Sequence, residues 1–179
     1  ADDAQNPLHS IMGNGMRPDI WMNFKQRYGI NRVCEFYGAS EGNVSFANLM
    51  NKDMTVGMTS AEVAVVEYDV DNDEVVSDDA GRCIPVQPGE AGLLLGKITP
   101  DTVFEGYTDA EATEKKVFRN AFVDGDAWFN TGDLMRTVDV GYTLGYDHYQ
   151  FVDRVGDTFR WKAENVSTNE VGEIINGFD

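Results

Sequence analysis

Cysteine and histidine are scarce in this 179-residue chain, which contains two residues of each type. Cys34 and Cys83 lie far apart, and neither they nor His9 and His148 have the close spacing that is typical of zinc ligands. We therefore expect no zinc site, and two separated cysteines do not establish a disulfide. Cys34 lies in an apolar run, which favours a small buried thiol.

Basic residues are also few: 14 Lys and Arg stand against 31 Asp and Glu, a formal net charge of −17 at pH 7. An acidic surface repels nucleic acid and anionic lipid, so we expect neither as a primary partner. Any nucleotide site then needs local donors or a metal ion. The chain has no apolar run of ~18 residues and no signal peptide, so we expect a cytoplasmic protein.

The apolar fraction of 42% is ordinary and allows a sizeable core. Hydrophobic periodicity predicts a helix over 17–28 that ends at Gly29, and a capping pattern predicts another over 108–119. We expect an α+β protein in which the remnant of an α/β layer precedes a distorted antiparallel, barrel-like subdomain. The predicted strands are 32–37, 61–68, 93–98, 128–131, 134–138, 142–146 and 148–152.

The most informative stretch is 151–171, where ordered charges alternate with aromatic residues. This pattern favours a strand and loop that move and that contact an anionic ligand. A solvated edge strand with charged gatekeeper residues is the alternative interpretation.

A glycine turn, Gly13-Asn14-Gly15, stands just before the predicted helix. Such a turn lets backbone groups approach a flat or anionic ligand closely. The alternative is a loop that only begins the helix.

The end of the strand over 32–37 carries a second group of candidate residues. Tyr37 offers an aromatic face to a base, the Ser40 hydroxyl can donate to a phosphate or carboxylate oxygen, and Glu41 is a hard oxygen ligand suited to magnesium. A strand-end turn with a helix cap would look the same.

Asp133 follows a predicted tight turn at 131–132. A carboxylate there can accept two hydrogen bonds from a vicinal diol such as a ribose. A plain hairpin turn is the alternative, since Gly-Asp is common in such turns.

The order of the motifs carries more information than any one of them: Tyr-Gly-x-Ser-Glu at 37–41, Thr-Gly-Asp-Leu at 131–134 and Asp-Arg-x-Gly-Asp at 153–157. This order resembles the adenylate-forming superfamily of acyl-CoA synthetases, luciferases and nonribosomal adenylation domains. Within that superfamily, the residues at and around these motifs are most similar to the very long-chain acyl-CoA synthetase and fatty acid transport protein branch. The segments that carry this similarity are 13–21, 35–44, 104–109, 112–116, 129–134 and 157–162.

The resemblance implies a two-step ligase. A fatty acid and ATP form an acyl-adenylate with release of pyrophosphate, and the acyl group then passes to the thiol of coenzyme A, with Mg2+ as cofactor. The fatty acid, ATP and coenzyme A are thus the implied partners. For the intact protein it leaves open peripheral membrane association. For this chain it leaves open a homodimer formed through an apolar surface that is exposed where the missing upstream part should pack.

The resemblance also assigns roles to residues. Asp133 would hold the ribose hydroxyls, and Arg154 would reach the ribose or a phosphate. Ser40 would bind near the α-phosphate or the substrate carboxylate, and Glu41 would hold magnesium. The residues implied at the adenine are the loop Gly13, Asn14 and Gly15, with Tyr37 and Gly38.

Gly156 and Asp157 would form a hinge on which a C-terminal domain rotates between the two steps. Relatives usually carry glycine at the position of Ala163, and its methyl group would hinder thioester formation if that position needs φ > 0. The loop implied to face coenzyme A contains Arg160, Trp161, Lys162, Ala163 and Glu164.

We divide the chain into the end of an α/β adenylate-binding subdomain (1–55), an antiparallel β subdomain (56–152), and the hinge with the start of a C-terminal domain (153–179). The chain contains no Ser/Thr/Gly-rich loop ending in Pro-Lys, the element with which the family grips phosphate, and the family's catalytic lysine is expected beyond Asp179. We therefore expect a fragment that binds ATP weakly and turns over nothing. An aryl or bile acid as substrate, and a stand-alone non-catalytic module that binds a nucleotide or a protein, are the alternatives.

Overall fold

A computed structural model describes residues 3–39, 43–102, 104, 114–155, 158–161, 164–167, 171–172 and 174–175. Helix α1 comprises Pro18–Tyr28. The strands are β1 Ser10–Gly13, β2 Arg32–Gly38, β3 Ser45–Ala47, β4 Val63–Val66, β5 Tyr68–Asp69, β6 Glu74–Val75, β7 Gly92–Lys97, β8 Val117–Arg119, β9 Ala127–Val138, β10 His148–Arg154, β11 Thr158–Trp161 and β12 Glu164–Ser167.

The first layer is a three-stranded sheet in the order β1-β2-β3, with β1 parallel and β3 antiparallel to β2. Helix α1 connects the two parallel strands and ends at Gly29, as the sequence predicts for the helix, whereas β1 was not predicted. Trp21 of the helix is 1% exposed and packs with Ile30 and Val33. Ile20, which the helical pattern places on the buried face, is 47% exposed, so that face is narrower than predicted.

The second layer is a five-stranded antiparallel sheet in the order β10-β9-β7-β4, with β8 paired to β9. Leu93, Leu94 and Leu95 of its central strand β7 are all fully buried, because apolar clusters cover both faces of the sheet. The α+β class is confirmed. Within the described ranges this sheet is open and does not close into a barrel.

Segment 43–58 joins the two sheets. The Asn43 side chain donates to the Gly96 carbonyl at 3.2 Å, and the Val56 N–H donates to the Tyr149 carbonyl at 2.9 Å. Gly57 lies so close to β3 that a Cβ there would stand 2.1 Å from the Ala47 carbonyl oxygen, at φ +93. Only glycine fits this crossing, which places Gly57 between the end of β3 and the start of β10.

The predicted turn at 131–132 is wrong, because β9 continues through it as one strand. Pairing with β7 shifts from Leu93 opposite Leu134 to Leu95 opposite Asn130, which marks a bulge. The Gly132 N–H donates to Asn130 Oδ1 at 2.8 Å. A glycine with positive φ suits a bulge as well as a turn. The bulge also changes the direction of the side chain that follows.

Two other predictions differ from the structure. Val117–Arg119, predicted as the end of a helix, is strand β8, since pairing with β9 overrides the local capping pattern; residues 105–113 lie outside the described residues. Segment 142–146, predicted as a strand, is a turn with positive φ at Leu144 and Gly145. Cys83 is buried as a core thiol, whereas Cys34 is half-buried.

Apolar side chains on the outside of the first layer include Met12 and Met22, which are 73% and 52% exposed. Among the described residues, no helix is both long enough and apolar enough to cross a membrane.

Candidate nucleotide-binding site

A pocket of about 440 Å³ lies where residues of the two sheets meet. One wall is the loop between β1 and α1, a second is β2, and a third combines 54–56 with the end of β10. The lining includes Asn14, Gly15, Met16, Arg17, Glu35, Tyr37, Gly38, Met54, Phe151 and Arg154.

The loop before α1 is held by a buried carboxylate. Glu35 on β2 is 3% exposed, and its Oε2 and Oε1 accept the N–H groups of Gly15 at 3.0 Å and Met16 at 3.3 Å. Burial raises the pKa of Glu35, while the two backbone donors act in the opposite direction. The sequence interpretation gives Glu35 no role. The signal that could reveal it is an acidic residue two positions after the buried Val33, on the inward face of a strand.

Asp133 lies behind the pocket wall and is 3% exposed. The Tyr37 hydroxyl donates to its Oδ2 at 2.5 Å, and Arg154 Nε donates to its Oδ1 at 2.9 Å. The antiparallel register places Arg154 directly opposite Asp133, beside the bulge in β9. Three residues predicted from separate motifs are therefore in direct contact.

Tyr37 remains a hydrogen-bond donor throughout the ordinary pH range. Burial first, and then its hydrogen bond to the Asp133 carboxylate, raise the pKa of Tyr37 far above its usual value. Its ring also meets Phe46 edge to face, with the ring centroids 5.7 Å apart. The phenol thus has a fixed orientation at the pocket wall.

The Asp133 carboxylate can accept more hydrogen bonds than it makes here. Each oxygen has two lone pairs and accepts one described donor, so one further position remains on each. A diol could use these positions, or replace one of the donors. The guanidinium of Arg154, with 62% of the side chain exposed, supplies positive charge at the mouth of the pocket.

Of the residues that the sequence predicts for the site, Asn14, Gly15, Tyr37, Gly38 and Arg154 line the pocket, and Asp133 contacts two of them. Gly13 ends β1, opposite Glu35. In the hairpin that follows β10, Arg160 and Trp161 lie in β11 and Glu164 lies in β12. Ser40, Glu41, Gly156, Asp157, Lys162 and Ala163 lie outside the residues whose side chains and backbone the structure describes.

The sequence is similar to fatty acid ligases and transport proteins over nearly its whole length. A medium/long-chain fatty acid–CoA ligase of Mycobacterium tuberculosis is 50% identical over 169 residues, which are 94% of this chain and 27% of the ligase. Mouse long-chain fatty acid transport protein 5 is 39% identical over 99% of this chain and 26% of its own length. Rat long-chain fatty acid transport protein 2 is 41% identical over 97% of this chain and 28% of its own length. The resemblance deduced from the motifs is confirmed.

Solved structures show the same fold. O-succinylbenzoate coenzyme A synthetase of Bacillus subtilis, in complex with ATP and a magnesium ion, matches 99% of this chain with a TM-score of 0.58 at 20% identity. An adenylation domain of Vibrio cholerae, in complex with glycyl-adenosine-5′-phosphate, matches 98% with a TM-score of 0.55 at 13% identity. This chain covers 33% and 32% of those two chains. No model of a known protein family matches the sequence.

Proposed function

We propose that this chain, which is homologous to a segment of fatty acid–CoA ligases and long-chain fatty acid transport proteins, forms the adenosine-binding part of an ATP-dependent fatty acyl-CoA synthetase. The chain spans about 27% of the length of those relatives. In the whole protein, the carboxylate of a long-chain or very-long-chain fatty acid attacks the α-phosphorus of ATP and pyrophosphate leaves. The thiol of coenzyme A then displaces AMP from the acyl-adenylate.

One observation carries the proposal: residues of separate motifs converge on one pocket. Tyr37 and Asp133 are 96 positions apart in sequence and share a hydrogen bond. Arg154, from the third motif, contacts the same carboxylate and lines the same pocket as Gly15. Three functionally unrelated segments would have no reason to meet.

The pocket offers each part of a nucleoside a matching group. Adenine would lie between the Gly15 loop and the ring of Tyr37, since a flat base suits close backbone approach and an aromatic face. The ribose hydroxyls would donate to Asp133, whose oxygens keep free lone pairs. Arg154 would bind the ribose or a phosphate, and it brings local positive charge to a chain of net charge −17.

Groups beyond the pocket complete the proposed chemistry. Ser40 and Glu41 would hold the α-phosphate and magnesium, because they follow directly on β2, whose Tyr37 and Gly38 line the pocket. Adenylation needs in-line alignment and neutralisation of phosphate charge, which such groups supply. The Bacillus subtilis synthetase with this fold was solved with ATP and a magnesium ion, which supports a role for the metal but names no residue. Gly156 and Asp157 would act as the hinge, and the hairpin of β11 and β12 would face coenzyme A.

The test is calorimetric binding of ATP, AMP and GTP to the chain, with Asp133→Ala as the variant. We expect both adenosine nucleotides to bind, GTP to bind more weakly, and the variant to lose at least ~100-fold in affinity. Glu62→Gln is a control, because this exposed carboxylate pairs only with Lys97 at 2.8 Å among the described contacts. Absence of adenosine nucleotide binding, or binding that ignores Asp133→Ala, would contradict the proposal and favour a non-catalytic module.

A further inference from the structure

We infer that Glu35 is a positioning residue, whose carboxylate holds the backbone of Gly15 and Met16 in the conformation that receives the nucleoside. The inference rests on the proposed function, because it concerns the same pocket. It gives a role to Glu35, to which the sequence motifs assign none.

The loop between β1 and α1 is fixed at three points. Its first residue, Gly13, is paired with Glu35 in the parallel sheet, and Pro18 begins the helix at its other end. Between them the Glu35 carboxylate accepts one hydrogen bond on each oxygen, from Gly15 and from Met16. Consecutive N–H groups converging on one anion fix the direction of the peptide planes between them.

This arrangement needs two acceptors, and only a carboxylate supplies them. A glutamine in the same place would present one oxygen and one NH2 group, so one backbone N–H would face another donor. Protonation of Glu35 would have a similar effect, because the acid would then place an O–H toward a donor. Loop position is thus linked to the charge of Glu35.

A buried, ionised carboxylate that is held by neutral donors is costly for folding. The pKa of Glu35 is raised in the folded protein, so its contribution favours folding at low pH and is lost as the pH rises through the raised pKa. Above that pKa the charge therefore opposes folding. The charge of Glu35 favours the loop conformation that receives the nucleoside but disfavours folding. Affinity and stability should therefore change with pH in opposite directions.

Other titratable groups near the pocket respond differently. Strands β1 and β3 carry no ionisable side chain, and Arg17 and Arg154 keep their charge at all ordinary pH values. Helix α1 contributes Asp19, whose pKa is lowered by Arg17, together with Lys25 and Arg27. Beside the pocket, Tyr37 has a raised pKa. Among the described residues, further acidic groups on or beside these elements are Asp53, which accepts hydrogen bonds from Trp21 and Lys25 of α1, and Asp133 and Asp153 of β9 and β10.

The experiment compares the wild-type chain with Glu35→Gln, using adenosine as the probe because adenosine carries no phosphate that titrates. Affinity is measured by calorimetry and unfolding free energy by urea, between about pH 8 and about pH 5. In the wild type we expect affinity to fall and stability to rise as the pH is lowered. In Glu35→Gln we expect affinity at high pH to be ~tenfold lower, with little further change on acidification, and stability to be equal or greater.

A second variant keeps the test valid if Glu35→Gln folds poorly. Gly15 has φ +86, and a Cβ at this position would meet nothing within 4 Å, so Gly15→Ala disturbs only the loop conformation. It should lower adenosine affinity by several-fold without loss of the fold. Combined with Glu35→Gln, it should cost less than the sum of the two single changes, since both act on one loop.

The results separate this inference from the proposed function. If the wild type binds no adenosine at any pH, the proposed function fails, and protection of the Gly15 and Met16 amides from hydrogen exchange still tests the loop anchor. Protection at high pH that drops in Glu35→Gln supports the anchor. Unchanged affinity and unchanged protection in that variant would overturn the inference. So would a loss of affinity that only parallels a loss of stability.

Discussion

Glu35 and Asp133 are two buried carboxylates at one pocket, and their surroundings differ. Each is 3% exposed. Glu35 accepts its hydrogen bonds from two backbone N–H groups, whereas Asp133 accepts from a phenol hydroxyl and a guanidinium. Backbone donors belong to the loop that they shape, while side-chain donors can be exchanged for those of a ligand. The comparison fits the loop position that we infer for Glu35 and the ligand contact that we propose for Asp133.

The two strands present these carboxylates in different ways. Glu35 occupies a regular inward position of β2, two residues after the buried Val33. Asp133 follows a bulge in β9, where the backbone leaves the regular alternation and the pairing with β7 shifts. A regular position suits a fixed structural contact, and a bulge directs a side chain toward a site.

The largest effect should come from removing the carboxylate that we propose to bind the ribose. Asp133→Ala removes the proposed acceptor for the ribose and leaves the half-buried Tyr37 hydroxyl without its described partner. We expect adenosine affinity to fall at least ~100-fold and the unfolding free energy to fall by about 1–3 kcal/mol. Calorimetry and urea unfolding measure the two quantities.

The matched variant Asp133→Asn separates shape from charge. It keeps an acceptor for Tyr37 but no longer offers two anionic oxygens, so affinity should fall while stability changes less. If Asp133→Asn bound adenosine as tightly as the wild type, the ligand contact proposed for the Asp133 carboxylate would be contradicted.

Glu35→Gln should have the next largest effect on affinity, and it should change pH dependence in a way that Asp133→Asn does not. Because the pKa of Glu35 is raised, the wild type should gain stability as the pH falls through that pKa, and the glutamine variant should lose this gain. Urea unfolding at several pH values measures it. Equal pH dependence of stability in both proteins would show that Glu35 is not the titrating group.

The sequence predicts the pieces of this site better than it predicts their placement. Tyr37, Asp133 and Arg154 were identified from motifs, and α1, β2 and β7 from local periodicity. The bulge at Gly132 could not be distinguished from a turn, because both use glycine with positive φ and only pairing with β7 decides. Glu35 was missed because its partners, Gly15 and Met16, lie 20 and 19 positions away. Strand β8 arises from pairing with β9, which local capping residues do not encode.

Tyr37→Phe should have a smaller effect than either carboxylate change. The ring that would face adenine remains, and Asp133 keeps its bond to Arg154. Loss of one hydroxyl and its hydrogen bond should lower the unfolding free energy by about 0.5–1.5 kcal/mol. Adenosine affinity, measured by calorimetry, should change by less than ~tenfold. A loss as large as that of Asp133→Ala would instead mean that the phenol hydroxyl itself binds the ligand.

The smallest effect should come from a carboxylate outside the pocket. Glu62 pairs with Lys97 at 2.8 Å, but 61% of its side chain is exposed, so solvent screens the pair. Glu62→Gln should change the unfolding free energy by no more than about 0.5 kcal/mol and leave adenosine affinity unchanged. Glu62→Gln and Glu35→Gln make the same chemical change. The two sites differ in the burial of the carboxylate and in the groups that donate to it. A Glu62→Gln variant that also weakened adenosine binding would point to the net charge of the chain, rather than the Glu35 contacts, as the cause.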